Sequence, residues 1–152
     1  MPISNTYTSE TVQQNIERLE KINIDTQPVW GKMNSAQMLA HLNVTYASSL
    51  GDMEVKNNGF MKLMLKLFVK STVVNDKPYK KNLRTAPYFV IADKRDFEKE
   101  KNSLVNYMDK VKELGPSHFE GKESAAFGKL SSKEWNNLFQ KHLDHHFEQF
   151  GV

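Results

Sequence analysis

The chain of 152 residues contains no cysteine, so it can form no disulfide bond and can offer no thiolate to a metal ion. Any metal site in this protein must therefore use His, Asp or Glu. Long apolar runs are also missing, because residues 60–69 are too few for a membrane span and include Lys62 and Lys66. The first residues have neither the basic start nor the apolar centre of a signal peptide. We therefore predict a cytoplasmic protein.

Excess charge of one sign is missing as well. The 21 Lys and Arg residues and 18 Asp and Glu residues leave a net charge of +3, which is too small to predict nucleic-acid binding. A hydrophobic fraction of 39% with 26% charged residues is typical of a globular protein and too apolar for a disordered one. A chain of this length predicts one domain, residues 1–152.

The last 22 or so residues, from Ser131 onwards, hold three of the five histidines and predict a helix. Ser131 and Glu134 have the spacing of a capping box, and Gly151 is typical of a helix end. At about 100° per residue, His142 and His146 lie one turn apart on the face with the large apolar side chains. Two imidazoles on a buried face favour a shared partner such as a divalent metal, although the same spacing also arises by chance.

Four further segments have helical periodicity. The five predicted helices run from Thr8 to about Ile22, from Asn34 to Gly51, from Phe60 to about Thr72, from Asp93 to about Leu114, and from Ser131 to Phe150. Residues 72–92 are irregular, with a short extended piece predicted at 88–91, and residues 116–130 are predicted to be a loop. The pattern predicts an all-α four-helix bundle with a short extra helix and a long irregular crossover.

One part of the chain is strongly basic. Residues 55–92, called the basic segment below, carry eight Lys and Arg residues against a single acid, Asp76. The lysines at 62, 66 and 70 are four residues apart and predict a solvated stripe. A solvated rim is the interpretation we favour, and an amphipathic helix that binds a membrane surface or a partner is the alternative. Met61 and Met64 are expected to pack in the core.

His41 is the obvious third ligand for a metal held by His142 and His146, because bundles assemble such sites from side chains that facing helices project inward. It shares a helix face with Gln37 and Thr45, in surroundings that are half polar. Three imidazoles would leave a fourth position open, as in catalytic sites, and suit zinc, nickel or another late divalent ion. The alternative is that His41 is an ordinary hydrogen-bonded core histidine.

No acid accompanies these histidines on the last helix. Leu143 stands where zincins have their general base, and Asp144 is predicted on the outer face. His145 is expected to be a neighbour of the ligands or a surface residue, and Gln149 can orient a ligand but cannot titrate. Because no acid is available, we assign no catalytic residue. By their positions on the helix faces, Gln37, Thr45, His145 and Gln149 are predicted to lie around the metal.

Two stretches resemble a DinB-like family of uncharacterised bacterial proteins. They are residues 28–41, PVWGKMNSAQMLAH, and residues 127–135, FGKLSSKEW, followed by 142–151, HLDHHFEQFG; residues 85–87 match more loosely. The resemblance implies the four-helix bundle of the DinB/YfiT-like superfamily, with up-down-down-up topology. It also implies a divalent metal on His41, His142 and His146. Characterised relatives include thiol S-transferases that use bacillithiol, mycothiol or glutathione, and many members are labelled metal-dependent hydrolases.

The chain departs from the family at one place. Relatives often have a His-Pro pair just before the Phe-Gly, where this chain has Ala125 and Ala126 beside Ser124, and His118 is too far upstream to replace it. The resemblance nevertheless implies a metal-dependent enzyme acting on a small molecule. A thiol S-transferase is the activity we favour, and a hydrolase is the alternative. A non-catalytic metal-binding or stress-related bundle protein is the third interpretation. We expect no nucleic acid or membrane as partner, and a homodimer is left open.

Overall fold

A computed structural model describes residues 2–84 and 86–152. Its four long helices are α1 (Ser9–Leu19), α2 (Ser35–Leu50), α5 (Phe97–Phe119) and α6 (Ser132–Gln149). The shorter elements are α3 (Gly59–Phe68), α4 (Lys70–Val74), a 3₁₀ turn at Pro87–Phe89, and an antiparallel pair of strands, β1 (Glu123–Ser124) and β2 (Gly128–Lys129). The all-α bundle is confirmed. Thr85, which belongs to one of the resembling stretches, lies outside the described residues.

The directions of the long helices follow from which residues meet. Asn15 contacts Gln140 and Arg18 contacts Asp144; Thr45 contacts His142 and His41 contacts His146; Asn43 contacts Glu100 and Tyr46 contacts Tyr107. The residue numbers therefore rise together between α1 and α6 and between α2 and α5, and run in opposite senses between α2 and α6. This is the up-down-down-up topology, in which residues 51–96 form the long connection between the two parallel helices α2 and α5.

Stacked aromatic rings from three helices form the centre of the core. Phe139 of α6 stacks on Tyr46 of α2 at 4.9 Å and on Trp135 at 5.6 Å, and Phe119 of α5 meets it edge-on at 5.5 Å. All four rings are essentially inaccessible to solvent. Such pairs add about 0.5–1.5 kcal/mol each beyond their buried area, and they fix α6 against α2.

The observed helix ends agree with most, but not all, of the ends predicted from local sequence. The capping boxes at Asn34 and Ser131 are confirmed, and α1 ends at Leu19, slightly before the predicted end. The predicted N-cap of α5 is wrong, because Asp96 rather than Asp93 accepts the hydrogen bond from the Lys99 amide, at 3.0 Å. Both acids precede the helix in sequence, and only the side chain of Asp96 reaches a first-turn N–H group.

Two predicted connections differ in the structure. Residues 116–130 are not a plain loop: after a kink at Gly115 (φ 72°) the helix resumes for one turn to Phe119, and the β1–β2 hairpin follows. Proline is tolerated at the start of that last turn, where its missing N–H group would have no partner. The piece predicted to be extended at 88–91 begins instead in the 3₁₀ turn at Pro87–Phe89.

Helix α3 was expected to bury its methionines, and that prediction is wrong. Met61 and Met64 are exposed, as are four other apolar side chains of this helix: Phe60, Leu63, Leu67 and Phe68. Leu65 packs against the core, and Lys70, just beyond α3, pairs with Glu134 of α6 at 3.0 Å. Helical spacing predicts that α3 has an apolar face, but it does not tell which neighbour covers that face. None of the helices formed by the described residues has the length and apolarity that a bilayer crossing requires.

Candidate metal centre

Three histidines meet between α2 and α6. His41 comes from α2, and His142 and His146 come from successive turns of α6. One nitrogen of each ring lies within 4.8 Å of the others. The closest pair is His41 Nε2 and His142 Nε2, at 2.8 Å. The antiparallel packing of α2 on α6 therefore brings together residues that are about a hundred positions apart in the sequence.

The cluster lies at the edge of the core. His41 and His146 keep only 5% and 6% of their surface accessible, while His142 is half-buried. Capping boxes at both helix starts and the aromatic core beneath hold the two helices in register. The core therefore covers the cluster on the side of His41 and His146, and His142 is the most exposed of the three histidines.

The second ring nitrogen of each histidine has its own partner. His41 Nδ1 donates to the Phe89 carbonyl at 2.8 Å, and His146 Nδ1 donates to Gln149 Oε1 at 2.7 Å. The orientation of the Gln149 amide follows from its Nε2, which donates to the Trp30 carbonyl at 2.8 Å. Carbonyl and amide oxygens only accept, so both imidazoles carry their proton on Nδ1 and present the lone pair of Nε2 to the cluster.

His142 is held in the same manner by a hydroxyl. Its Nδ1 lies 2.9 Å from Thr45 Oγ1, which can accept a proton from the ring as the other two partners do. With that tautomer, the one a metal ion requires, all three Nε2 lone pairs face the cluster; with the other tautomer, Thr45 donates to His142 Nδ1 and His142 Nε2 donates to His41 Nε2. Hydrogen bonds of this kind orient metal-binding histidines and raise their basicity.

Burial keeps these rings neutral. It is the main cause that lowers the pKa of His41, against the opposing hydrogen bond to the Phe89 carbonyl. Burial, with the neighbouring histidines, holds the pKa of His142 well below its usual value and lowers the pKa of His146 to about 3. Neutral imidazole is the form that binds metal, so all three side chains are ready to act as ligands at pH 7.

The donor set and its size fit a late divalent ion. Zn–N bonds of about 2.0–2.1 Å in tetrahedral geometry put ligand nitrogens about 3.3 Å apart. The pair at 2.8 Å would have to separate by only about half an ångström to admit such an ion. Without an ion, the distance of 2.8 Å is that of a hydrogen bond in which His142 Nε2 donates to His41 Nε2, and a divalent ion would take the place of that proton. The set of three leaves a fourth position open.

The residues predicted around the metal divide into two groups. Thr45 and Gln149 contact candidate ligands directly, His142 and His146 respectively. His145 contacts no metal-binding nitrogen; its half-buried ring packs against His146 and lies between Trp30 and Tyr79, at 5.9 and 5.7 Å. Gln37 points elsewhere, because its side chain closes the capping box with Asn34 and donates to the Asp93 carbonyl.

Two contacts of the site are not predicted by the sequence pattern. The Phe89 carbonyl belongs to the irregular crossover, and no side-chain pattern signals a backbone acceptor. Gly31 has a φ of 87°, and a Cβ at this position would collide with Gln149 Nε2. The Trp-Gly pair in the loop before α2 was therefore a usable signal: Trp30 supplies the carbonyl that orients Gln149, and Gly31 leaves room for the amide.

Acidic groups are kept away from the cluster. Among the residues that the structure describes, no carboxylate hydrogen-bonds to the three imidazoles. Asp144 pairs with Arg18 of α1 on another face of α6, and Leu143 is buried in the core. Near the position of the family's His-Pro pair, the hydroxyl of Ser124 accepts from the Phe127 amide, and His118 is exposed on the last turn of α5.

The comparisons with known proteins yield one match. Residues 5–151 match the model of a family described as protein of unknown function (DUF1569). No curated protein and no solved structure shows a significant match to the chain. The family match covers both histidine-bearing helices and nearly the whole bundle, so this chain belongs to the DUF1569 family.

Proposed function

We propose that this protein is a DinB-like metalloprotein that holds one divalent ion, zinc or nickel, on His41, His142 and His146. The observation that carries the proposal is the arrangement of the six ring nitrogens. Three of them face one another within 4.8 Å, and the other three are held by Phe89, Thr45 and Gln149. The resembling motifs and the up-down-down-up topology support the assignment to the DinB-like proteins.

We further propose that the protein is a transferase for a low-molecular-weight thiol. A divalent ion with an open position lowers the pKa of a thiol or water that binds there. The chain itself contributes three oriented, neutral ligands, of which His142 is the most exposed. It offers no carboxylate to the cluster among its described residues, and this favours a reaction that needs no protein base. Thiol transfer meets that condition better than hydrolysis, which ordinarily uses a general base.

Metal content tests the first step. Protein purified without chelator and loaded with zinc or nickel should retain about one ion per chain after gel filtration. The double variant His142→Ala/His146→Ala should lose the ion while keeping the helical signal in circular dichroism. His118→Ala, which changes an exposed histidine away from the cluster, is the matched control and should retain it. Equal metal content in the double variant and the control would refute the site.

Thiol-dependent turnover tests the second step. The metal-loaded protein should accelerate the conjugation of a small electrophile with bacillithiol, mycothiol or glutathione, and His41→Ala should abolish the acceleration. Hydrolysis of ester or amide substrates without any thiol would instead assign the protein to the hydrolases. A metal-loaded protein that is inactive in both assays would support the non-catalytic interpretation and refute the transferase proposal.

A further inference from the structure

The outer face of α3 holds six of the large apolar side chains that the described part of the chain leaves open to solvent. Phe60, Leu67 and Phe68 are 72%, 62% and 69% exposed, and Met61, Leu63 and Met64 lie beside them. Leu65 alone of the residues in this helix packs against the core. Six large apolar side chains on ten residues are far more than the single exposed apolar groups that a soluble surface ordinarily shows.

The lysines of α3 are placed along one border of this face. At about 100° per residue, the six exposed apolar residues span an arc of about 160°. Lys62 and Lys66 lie about 60–100° beyond one border of this arc, and Leu65 faces the core about 40° beyond the other. Lys70, just beyond α3, pairs with Glu134 of α6 and does not belong to this row. A helix of this kind can lie in the plane of a membrane interface, with its apolar side chains inserted and its lysines reaching the headgroups.

The charge around the helix has the matching sign. The basic segment has eight Lys and Arg residues and one acid, Asp76. That acid is already engaged, since it accepts hydrogen bonds from Lys133 and Asn137 of α6. Lys70 pairs with Glu134 and Lys56 with Glu54. The other six basic residues present a positive field next to an exposed apolar face, and anionic lipid headgroups complement both features.

We propose that the α3 face and the surrounding basic segment bind an anionic membrane surface. The sequence alone favoured a solvated rim, but the exposure of the apolar side chains favours the alternative. A second copy of the chain is a poorer occupant of the same face, because it would bring two basic segments into contact. The inference is independent of the metal site, since none of the three histidines belongs to this surface.

Vesicle sedimentation with the full-length chain tests the inference. Wild-type protein should bind phosphatidylcholine vesicles that contain about 30% phosphatidylglycerol, and it should bind pure phosphatidylcholine at least about tenfold more weakly. The binding should weaken as salt is added, because the lysines act through screened charge. A wild-type protein that stays in solution with anionic vesicles at low salt would overturn the inference.

Two pairs of variants separate the apolar and electrostatic contributions. Phe60→Ser/Leu67→Ser and Lys62→Glu/Lys66→Glu should each weaken binding by more than about tenfold. The matched controls are Ile24→Ser/Val29→Ser, which changes exposed apolar residues before α2, and Lys21→Glu/Lys110→Glu, which makes the same charge change elsewhere. Both controls should bind as the wild type does.

The variants also identify the competing occupant. If Phe60→Ser/Leu67→Ser binds anionic vesicles as tightly as its control does, the α3 face does not insert and the inference is wrong. If the wild type is a dimer by analytical ultracentrifugation, this variant is a monomer, and neither binds vesicles, the face belongs to a second copy of the chain and the inference is overturned.

Discussion

Helix α6 and helix α3 both carry many apolar side chains, yet the fold treats them in opposite ways. In α6 the large rings pack against α2 and α5, and His146 on the same helix is buried and hydrogen-bonded to Gln149. In α3 most of the apolar side chains face solvent beside a row of lysines. The comparison teaches that similar apolar content can support a buried histidine cluster where neighbouring helices cover it and can form an exposed surface where they do not.

The largest expected difference lies between two phenylalanines. Phe139→Ala should lower the free energy of unfolding by about 3–5 kcal/mol, because it opens a cavity in the aromatic core. Phe68→Ala should change it by less than about 0.5 kcal/mol, because the ring of Phe68 is 69% exposed. Chemical denaturation of both variants measures the difference, and similar losses would mean that α3 is packed in solution.

Lys141 marks the boundary between the two regions. This buried lysine of α6 donates to the carbonyls of Thr72 and Asn75 at the end of α4 and to the Asn75 side chain. Lys141→Met should cost about 1–3 kcal/mol of unfolding free energy, because the carbonyls lose their donor. Lys133→Met, at an exposed position, should cost little. Thermal unfolding of the two variants compares these losses. Equal melting temperatures would show that Lys141 does not stabilise the position of α4.

Two glycines with positive φ differ in their distance from the candidate metal centre. Gly31 and Gly51 both have positive φ, at 87° and 82°, but only a Cβ on Gly31 would meet Gln149. Gly51→Ala should therefore cost about 1–2 kcal/mol from backbone strain alone, and Gly31→Ala should cost that and also weaken metal binding by displacing the partner of His146. Metal titration monitored by calorimetry distinguishes the variants. Wild-type affinity in Gly31→Ala would show that Gln149 is not needed to orient His146.

The smallest effect concerns pH. In the metal-free protein the folded-state pKa values of His41, His142 and His146 are depressed. The unfolded chain therefore takes up protons first, and stability falls as the pH drops below about 6.5; for His146 the loss continues to its folded pKa of about 3. Between pH 7.5 and 6.5 the loss should be roughly 0.4 kcal/mol per histidine.

Denaturant midpoints at several pH values measure this dependence. His142→Gln/His146→Gln should make it shallower, and His118→Gln should leave it unchanged. A metal-free protein whose stability does not fall on acidification would contradict the burial of neutral imidazoles, which is the property that separates α6 from the exposed helix α3.

The parts of the fold that local signals determine were predictable. Capping residues at Asn34 and Ser131 and the spacing of His142 and His146 are local, and a buried amphipathic helix leaves its period in the sequence. Facing helices then made His41 the natural third ligand. The cap of α5 was mistaken because Asp93 and Asp96 are both acceptable caps by residue type.

The features that could not be predicted depend on contacts between residues that are distant in sequence. A backbone carbonyl such as that of Phe89 has no residue signature, so its hydrogen bond to His41 could not be predicted. The clearance between Gly31 and Gln149 joins positions more than a hundred residues apart. For Met61 and Met64 the helical period was correct, but whether another element covers a face is a property of the tertiary structure.

X-ray absorption spectroscopy of the zinc- or nickel-loaded protein tests the central claim most directly. We expect three imidazole nitrogens at about 2.0–2.1 Å from the ion, completed by one or more light atoms, and the loss of this pattern in His142→Ala/His146→Ala. An ion surrounded only by oxygen atoms, or the same spectrum in the wild type and the double variant, would contradict a metal centre built from His41, His142 and His146.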